Sequence, residues 1–167
     1  YFAKYPPIDL SNVVAGFNFD GIMPTGLTND MVVVGYGASE LEDLLETELQ
    51  KNGRYINPDP NPEKGYFYRS DHISLAKRGV PMFYSDGGFD FVVGGKEAGF
   101  AFEENYRLDA YHGVADEYDE AWNLEGLNQS IDVIFNITNE LANNSQWPNW
   151  YEGNEFKATR DVSRAGK

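Results

Sequence analysis

A chain of 167 residues is long enough to form one domain with a substantial hydrophobic core. Its composition, 41% hydrophobic and 24% charged, is typical of a folded globular protein and excludes an intrinsically disordered one. The formal charge of -14 argues against nucleic acids and anionic membranes as partners. The lack of cysteine excludes disulfides, cysteine nucleophiles and cysteine-based zinc sites, and no apolar run approaches the roughly 18 residues of a transmembrane helix.

The first part of the chain predicts two strands followed by a helix. Residues Asn12 to Asp20 are β-branched and aromatic and end at an Asp-Gly turn, which predicts a buried strand. A second strand is predicted from Asp30 to Gly37. Leucines then recur on one face of a helix predicted over residues 39–52, with Ser39 as its N-cap and Gly53 ending it.

The remaining chain predicts shorter elements and one long helix. In chain order these are a proline-rich loop (57–65), a short helix (70–79), a strand (81–85), a glycine-rich loop (86–99) and an amphipathic helix (122–143). The polar and aromatic tail that follows is predicted to fray. Because strands alternate with helices, the sequence predicts an α/β fold with a largely parallel or mixed sheet, as a single domain over residues 1–167.

Two familiar catalytic patterns do not fit this sequence. Lys96 in the glycine-rich loop is followed by Glu97 instead of Ser or Thr, and the Walker spacing fails, so the loop is expected to line an active site and not to bind phosphate. No G-x-S-x-G elbow is present. Ser70, Asp71 and His72 are consecutive and do not face one another on a helix, so they do not form a catalytic triad.

Three residues are candidates for metal chemistry, each with a structural alternative. Asp20 closes a buried strand, where α/β proteins gather their ligands, but it is also a common turn residue. His112 is followed by Asp116, a carboxylate that could orient a metal-binding imidazole, although a surface histidine is equally consistent with the pattern. His72 is consistent with a histidine at a helix end or behind the metal ligands, or with a metal ligand itself. Without cysteine, any zinc here requires imidazole and carboxylate ligands, the set typical of catalytic sites.

Three segments together resemble metallopeptidase family twenty-eight (M28), the co-catalytic zinc aminopeptidases with their glutamate carboxypeptidase and glutaminyl cyclase branches. "GFNFDG" resembles the family's strand ending Asn-x-Asp, and "YFYRSDHISLAKRGVPMFY" resembles its Ser-Asp-His segment, helix and Gly-φ-Pro strand. "YHGVADEYD" resembles its Tyr-His-x-x-x-Asp turn before the last helix. The resemblance runs in the same order from about residue 13 to the C-terminal helix.

The resemblance implies a three-layer α/β/α sandwich of the phosphorylase/hydrolase type, with a mixed sheet and two zinc ions. Asp20 would bind one zinc and His112 the other, and Tyr111 would stabilise the tetrahedral intermediate. Four further residues would form the wall or support the ligands: Arg69, Ser70, Asp71 and His72. In such a site two zinc ions polarise the scissile carbonyl and lower the pKa of a bridging water, and a carboxylate takes the proton.

The sequence also departs from the family pattern. The family's His-x-Asp motif, bridging Asp and Glu-Glu pair precede the Asn-x-Asp strand, whereas the residues before Asn18 contain no His, no Glu and one Asp, Asp9. The opening residues resemble the segment just after the Glu-Glu pair. We therefore expect an N-terminally truncated, C-terminal portion of a catalytic domain, inactive alone, binding zinc weakly, and pairing with the missing N-terminal half or with a second copy of itself.

Several functional alternatives stay open at the level of sequence. The leading hypothesis is a zinc exopeptidase, most simply an aminopeptidase acting on peptides. The rivals are a non-catalytic binding domain of the same fold and a single-zinc glutaminyl cyclase. Acidic residues near the expected pocket (Glu103, Glu104 and Asp109) fit either free-amine or basic substrates, or simple solvation. Relatives with the middle motif are commonly exported, which favours a periplasmic or secreted location.

Overall fold

The computed structural model describes residues 1–21 and 24–167 and has an α/β arrangement of short strands and helices. The strands are β1 (Gly16–Phe19), β2 (Asp30–Val33), β3 (Tyr55–Pro58) and β4 (Met82–Ser85). The helices are α1 (Leu41–Gln50), α2 (Ile73–Ala76), α3 (Gly95–Asp109), α4 (Glu125–Asn143) and α5 (Lys157–Arg164). None of the helices in these described ranges is both long and apolar enough to cross a membrane.

The strands form two parallel pairs. One strand of each pair, β4 and β2, lie side by side and run in opposite directions. β1 pairs with β4, with Phe19 opposite Ser85, and β2 pairs with β3. The N–H of Val34 donates to the carbonyl of Tyr84 at 3.0 Å, and the N–H of Asn29 donates to the carbonyl of Asp90 at 2.7 Å, so β4 and its continuation run alongside β2. The parallel pairing of β1 and β4 brings their carboxyl ends to the same edge, which positions the site described below.

One apolar cluster joins α1 and α4 to the strands. It contains the buried leucines of α1 and the buried aliphatic face of α4, packed on Met31, Val33 and Phe83. Glu42 in the first turn of α1 holds the preceding loop, because its carboxylate accepts the N–H groups of Gly37 and Ala38 at 2.8 Å. The predicted Ser39 cap is wrong, because α1 begins at Leu41 and the N-cap position is therefore Glu40, for which the structure shows no side-chain capping hydrogen bond.

A second apolar cluster contains the C-terminal tail. Trp150 is 1% exposed and packs with Phe156, Val80, Met82 and other apolar side chains. Its indole N–H donates to the carbonyl of Gly79 at 3.0 Å. The expectation that the tail frays is therefore wrong, because its aromatic residues fill one core and α5 follows them directly.

Other element boundaries also differ from the sequence prediction. β1 and β2 are shorter than predicted, and the long helix begins at Glu125 instead of Trp122. The prediction of a buried first strand is also wrong, because β1 is only partly buried and Phe19 at its end is exposed. β3 overlaps the start of the predicted proline-rich loop, since Tyr55–Pro58 pairs with β2 before the loop begins. The last residues of the predicted glycine-rich loop belong to α3. This helix has one buried residue, Gly99, and so lacks the apolar periodicity that predicts a helix.

Candidate functional site

A cavity of about 350 Å³ lies beyond the carboxyl ends of β1 and β4. Its walls come from four parts of the chain: the end of β1, the segment before α2, the end of β4 with the loop after it, and α3 with the turn that follows. Its aromatic lining residues are Tyr66, Tyr84, Phe89, Phe91, Phe102, Tyr106 and Tyr111. Concave aromatic surfaces with a few converging polar groups are typical of ligand sites.

Asp20 and His112 both line this cavity, although 92 positions separate them in the sequence. Asp20 follows directly on β1, so the strand sets the position of its carboxylate at the cavity rim. His112 lies in the turn after α3 and has a left-handed backbone, with φ at 59°. A positive φ is uncommon outside glycine and marks a residue that its surroundings hold in place.

The turn that presents His112 is held by Asp116. One carboxylate oxygen accepts the hydroxyl of Tyr106 at 2.8 Å, and the other accepts the backbone N–H of His112 at 3.4 Å. Asp116 was expected to orient the imidazole directly, but it contacts the backbone of His112 instead. It therefore acts on the imidazole indirectly, by fastening the turn to α3.

Tyr111 lines the cavity beside His112. The two rings are stacked, with centroids 3.9 Å apart and an interplanar angle of 19°. Tyr111 also meets Tyr106 edge-on at 5.9 Å. This aromatic contact orients both side chains of the Tyr-His pair together, and about half of the surface of Tyr111 is exposed.

The Arg-Ser-Asp-His segment divides between the cavity and the core. Arg69 and Ser70 line the cavity, and the Ser70 hydroxyl donates to the carbonyl of Tyr66 at 3.0 Å. Asp71 is exposed and is not among the lining residues. His72 is 2% exposed and packs against Phe67 and Tyr84, with ring centroids 4.6 and 5.2 Å away.

His72 therefore supports the cavity from behind and does not face it. Burial lowers the pKa of its imidazole to about 4, against the opposing effect of nearby Asp71. Neither ring nitrogen has a hydrogen-bond partner within the described ranges. The ring remains neutral at neutral pH and behaves as an aromatic core residue beneath Tyr84.

Asp86 is a cavity residue outside the sequence predictions. This carboxylate lines the cavity directly after β4, as Asp20 does after β1. The signal that identified Asp20, a carboxylate closing a buried strand before glycine, applies equally to Asp86 and Gly87. Of the three acidic residues expected near the pocket, Glu103 lines it, whereas Glu104 and Asp109 do not.

The comparison with protein families agrees with this geometry. A model described as Peptidase family M28 matches residues 1–138. The chain belongs to peptidase family M28. Comparisons with curated proteins and with solved structures gave no significant match. Membership places the chain among the metallopeptidases, a hydrolase family that is generally zinc-dependent.

The donor atoms of this M28 chain fit only part of a zinc site. Asp20 and His112 offer the carboxylate and imidazole that a catalytic zinc prefers. Within residues 1–21 and 24–167, however, no group of three or more His, Asp or Glu side chains is arranged to hold a metal ion. Catalytic zinc commonly uses three protein ligands, so these residues alone do not complete a zinc site.

Proposed function

We propose that this M28 chain supplies part of the active site of a zinc-dependent aminopeptidase, which releases N-terminal residues from peptides. The observation that supports the proposal is the shared cavity of Asp20, Tyr111 and His112. Asp20 and the consecutive pair Tyr111 and His112, which the family resemblance selected, lie far apart in the sequence and line one concave surface. A fold unrelated to this chemistry would have no reason to bring them together.

The proposed roles follow from the side chains. Asp20 and His112 each contribute one ligand, to different zinc ions of a pair. Zinc, when bound, polarises the scissile carbonyl and lowers the pKa of a bound water. Tyr111 donates a hydrogen bond from its hydroxyl to the oxygen on which negative charge develops, an interaction that gains strength in the transition state. Asp116 and Tyr106 hold the turn so that Tyr111 and His112 keep this geometry.

We further propose that the remaining ligands and the general base lie outside residues 1–167. Two candidate ligands in one cavity are too few for even one complete zinc site, and each would serve a different ion. The chain alone would then bind zinc weakly and be inactive. Its partner would be the N-terminal half of the domain or a second copy of the chain.

The finer fold is proposed to be a three-layer α/β/α sandwich. The packing supports it, because α1 and α4 share one apolar cluster with β2, whereas the tail and α2 belong to the second cluster. Within the described residues β1 pairs only with β4, so its outer edge is available for the missing strands.

The test compares two polypeptides on aminoacyl p-nitroanilides and on unblocked peptides. One is the 167-residue chain, and the other is a longer protein that contains it with the upstream ligands. We expect hydrolysis only from the longer protein, abolished by a chelator and restored by zinc. Its Asp20→Asn and His112→Gln variants should lose more than a hundredfold in kcat, while Asp109→Asn should not. Robust, chelator-sensitive hydrolysis by the 167-residue chain alone would contradict the proposal that its site is incomplete.

A second candidate is a non-catalytic binding domain of the same family. It is favoured by the shortage of metal ligands in the described part of the chain. The longer protein would then bind unblocked peptides without hydrolysing them, and zinc would not change their affinity. Peptide turnover by the longer protein would exclude this candidate.

A further inference from the structure

Asp86 occupies a position that the proposed ligand set does not use. Phe19 and Ser85 are opposite one another in the parallel pair β1–β4, and Asp20 and Asp86 are the next residues on each chain. Neighbouring strands lie about 4.8 Å apart, so the two carboxylates leave adjacent strand ends at comparable spacing. Both line the cavity.

Asp86 is partly buried and, among the residues that the structure describes, forms no salt bridge. Its Oδ1 atom is inaccessible to solvent and has no hydrogen-bond partner in the described parts of the chain. The two arginines of the cavity are engaged elsewhere: Arg69 donates to the carbonyl of Lys64 at 3.3 Å, and Arg107 lies 4.0 Å from Glu104. A buried carboxylate without a cationic partner is costly, and a ligand that brings positive charge would offset that cost.

The surroundings of Asp86 strengthen its attraction for a cation. The carboxylates of Asp20 and Glu103 line the same cavity as Asp86. The same negative charges would stabilise a cation beside Asp86. The cavity therefore combines aromatic walls for an apolar group with carboxylates for a positive charge.

We propose that Asp86 binds the α-ammonium group of the peptide substrate and so selects substrates with a free N-terminus. This inference rests on the proposed aminopeptidase function. The α-nitrogen lies about 2.5 Å from the scissile carbonyl carbon by covalent geometry. A carbonyl bound beside Asp20 would thus place the ammonium near the next strand end, at Asp86. The ammonium of a lysine side chain is several bonds further away and would not reach the same point.

The experiment measures binding to the 167-residue chain, because binding does not require turnover. Two probes are titrated calorimetrically: leucinamide, and 4-methylpentanamide, which is the same amide without the amino group. We expect leucinamide to bind at least about tenfold more tightly than 4-methylpentanamide, because one hydrogen bond to a charged group contributes at least that much affinity. Asp86→Asn should abolish the preference. Asp109 is an exposed carboxylate outside the cavity. Asp109→Asn removes the same charge as Asp86→Asn and should leave the preference for leucinamide unchanged.

Several outcomes would overturn the inference. These are failure of the wild-type chain to bind leucinamide, equal binding of the two probes, and an undiminished preference in Asp86→Asn. If circular dichroism shows that Asp86→Asn does not fold, an Asp86→Ser variant is used for the same test. A tenfold loss of zinc affinity in Asp86→Asn would also overturn it, by making Asp86 a metal ligand. The inference would also be overturned if the Asp86→Asn substitution weakened binding of lysinamide but not of leucinamide.

Failure of the inference and failure of the proposed function give different results. If the longer protein hydrolyses peptides with zinc while Asp86→Asn binds leucinamide normally, only the role of Asp86 is wrong. If Asp86 controls leucinamide binding while the longer protein hydrolyses nothing, the amine site stands and the peptidase proposal falls.

Discussion

Replacement of Trp150 by alanine tests whether the C-terminal tail is part of the folded core. Trp150 is 1% exposed, its ring centroid lies 5.1 Å from that of Phe156, and its indole N–H donates to the carbonyl of Gly79. Loss of a buried tryptophan costs about 3–5 kcal/mol through lost burial and the cavity left behind. Leaving the Gly79 carbonyl without its donor adds about 1 kcal/mol. We therefore expect Trp150→Ala to lower the free energy of unfolding by about 4–6 kcal/mol.

Urea denaturation followed by far-ultraviolet circular dichroism measures this change. Trp150→Phe keeps an aromatic ring but loses the hydrogen bond, and we expect it to cost about 1–2 kcal/mol. Val162→Ala, in the same tail but 79% exposed, serves as the control and should change stability by less than about 0.5 kcal/mol. A loss below about 1 kcal/mol for Trp150→Ala would refute the reasoning, because it would mean that the tail frays.

Three further predictions address the cavity and its support. Gly99→Ala should lower the free energy of unfolding by about 1–3 kcal/mol, because the added Cβ would overlap the carbonyl oxygen of Phe89. Alanine is the better helix former, so a variant that urea denaturation shows to be stabilised would disprove the close packing of α3. Burial holds the pKa of His72 at about 4, below its value of about 6.5 in the unfolded chain, so the unfolded chain binds more protons and stability should fall by about 1–3 kcal/mol between pH 7 and pH 4. His72→Leu should remove that part of the pH dependence, and an unchanged pH profile would show that His72 is already solvated. Tyr111→Phe in the longer protein should lower kcat by about ten- to a hundredfold with little change in KM; an effect confined to KM would assign Tyr111 to substrate binding alone.

The sequence was informative where a local pattern coincides with burial. The leucine repeat of α1 and the aliphatic face of α4 predict helices because those faces are the ones that pack together. The Asp-Gly turn correctly predicts that a strand ends at Asp20, although β1 is only partly buried. In these cases the local pattern and the tertiary contacts point to the same structure.

The missed features depend on contacts between distant residues. α3 escaped prediction because its one fully buried residue is Gly99, which packs against the backbone of Phe89 and not through an apolar side chain. The tail was expected to fray because nothing local shows that Trp150 meets Gly79, 71 positions earlier. Asp86 carries the same local signal as Asp20, and what the sequence does not show is that the parallel pairing of β1 and β4 brings the two carboxylates to adjacent strand ends.

The most direct test of the central claim, that Asp20 and His112 bind zinc in one shared cavity, is a zinc-edge anomalous difference map. Crystals of the protein would be soaked in zinc and data collected above and below the absorption edge. We predict a peak within the cavity in coordination distance of the Asp20 carboxylate or the His112 imidazole, about 2.0–2.2 Å from the ligand atom. Peaks found only elsewhere on the molecule, with the cavity empty of zinc, would contradict the account.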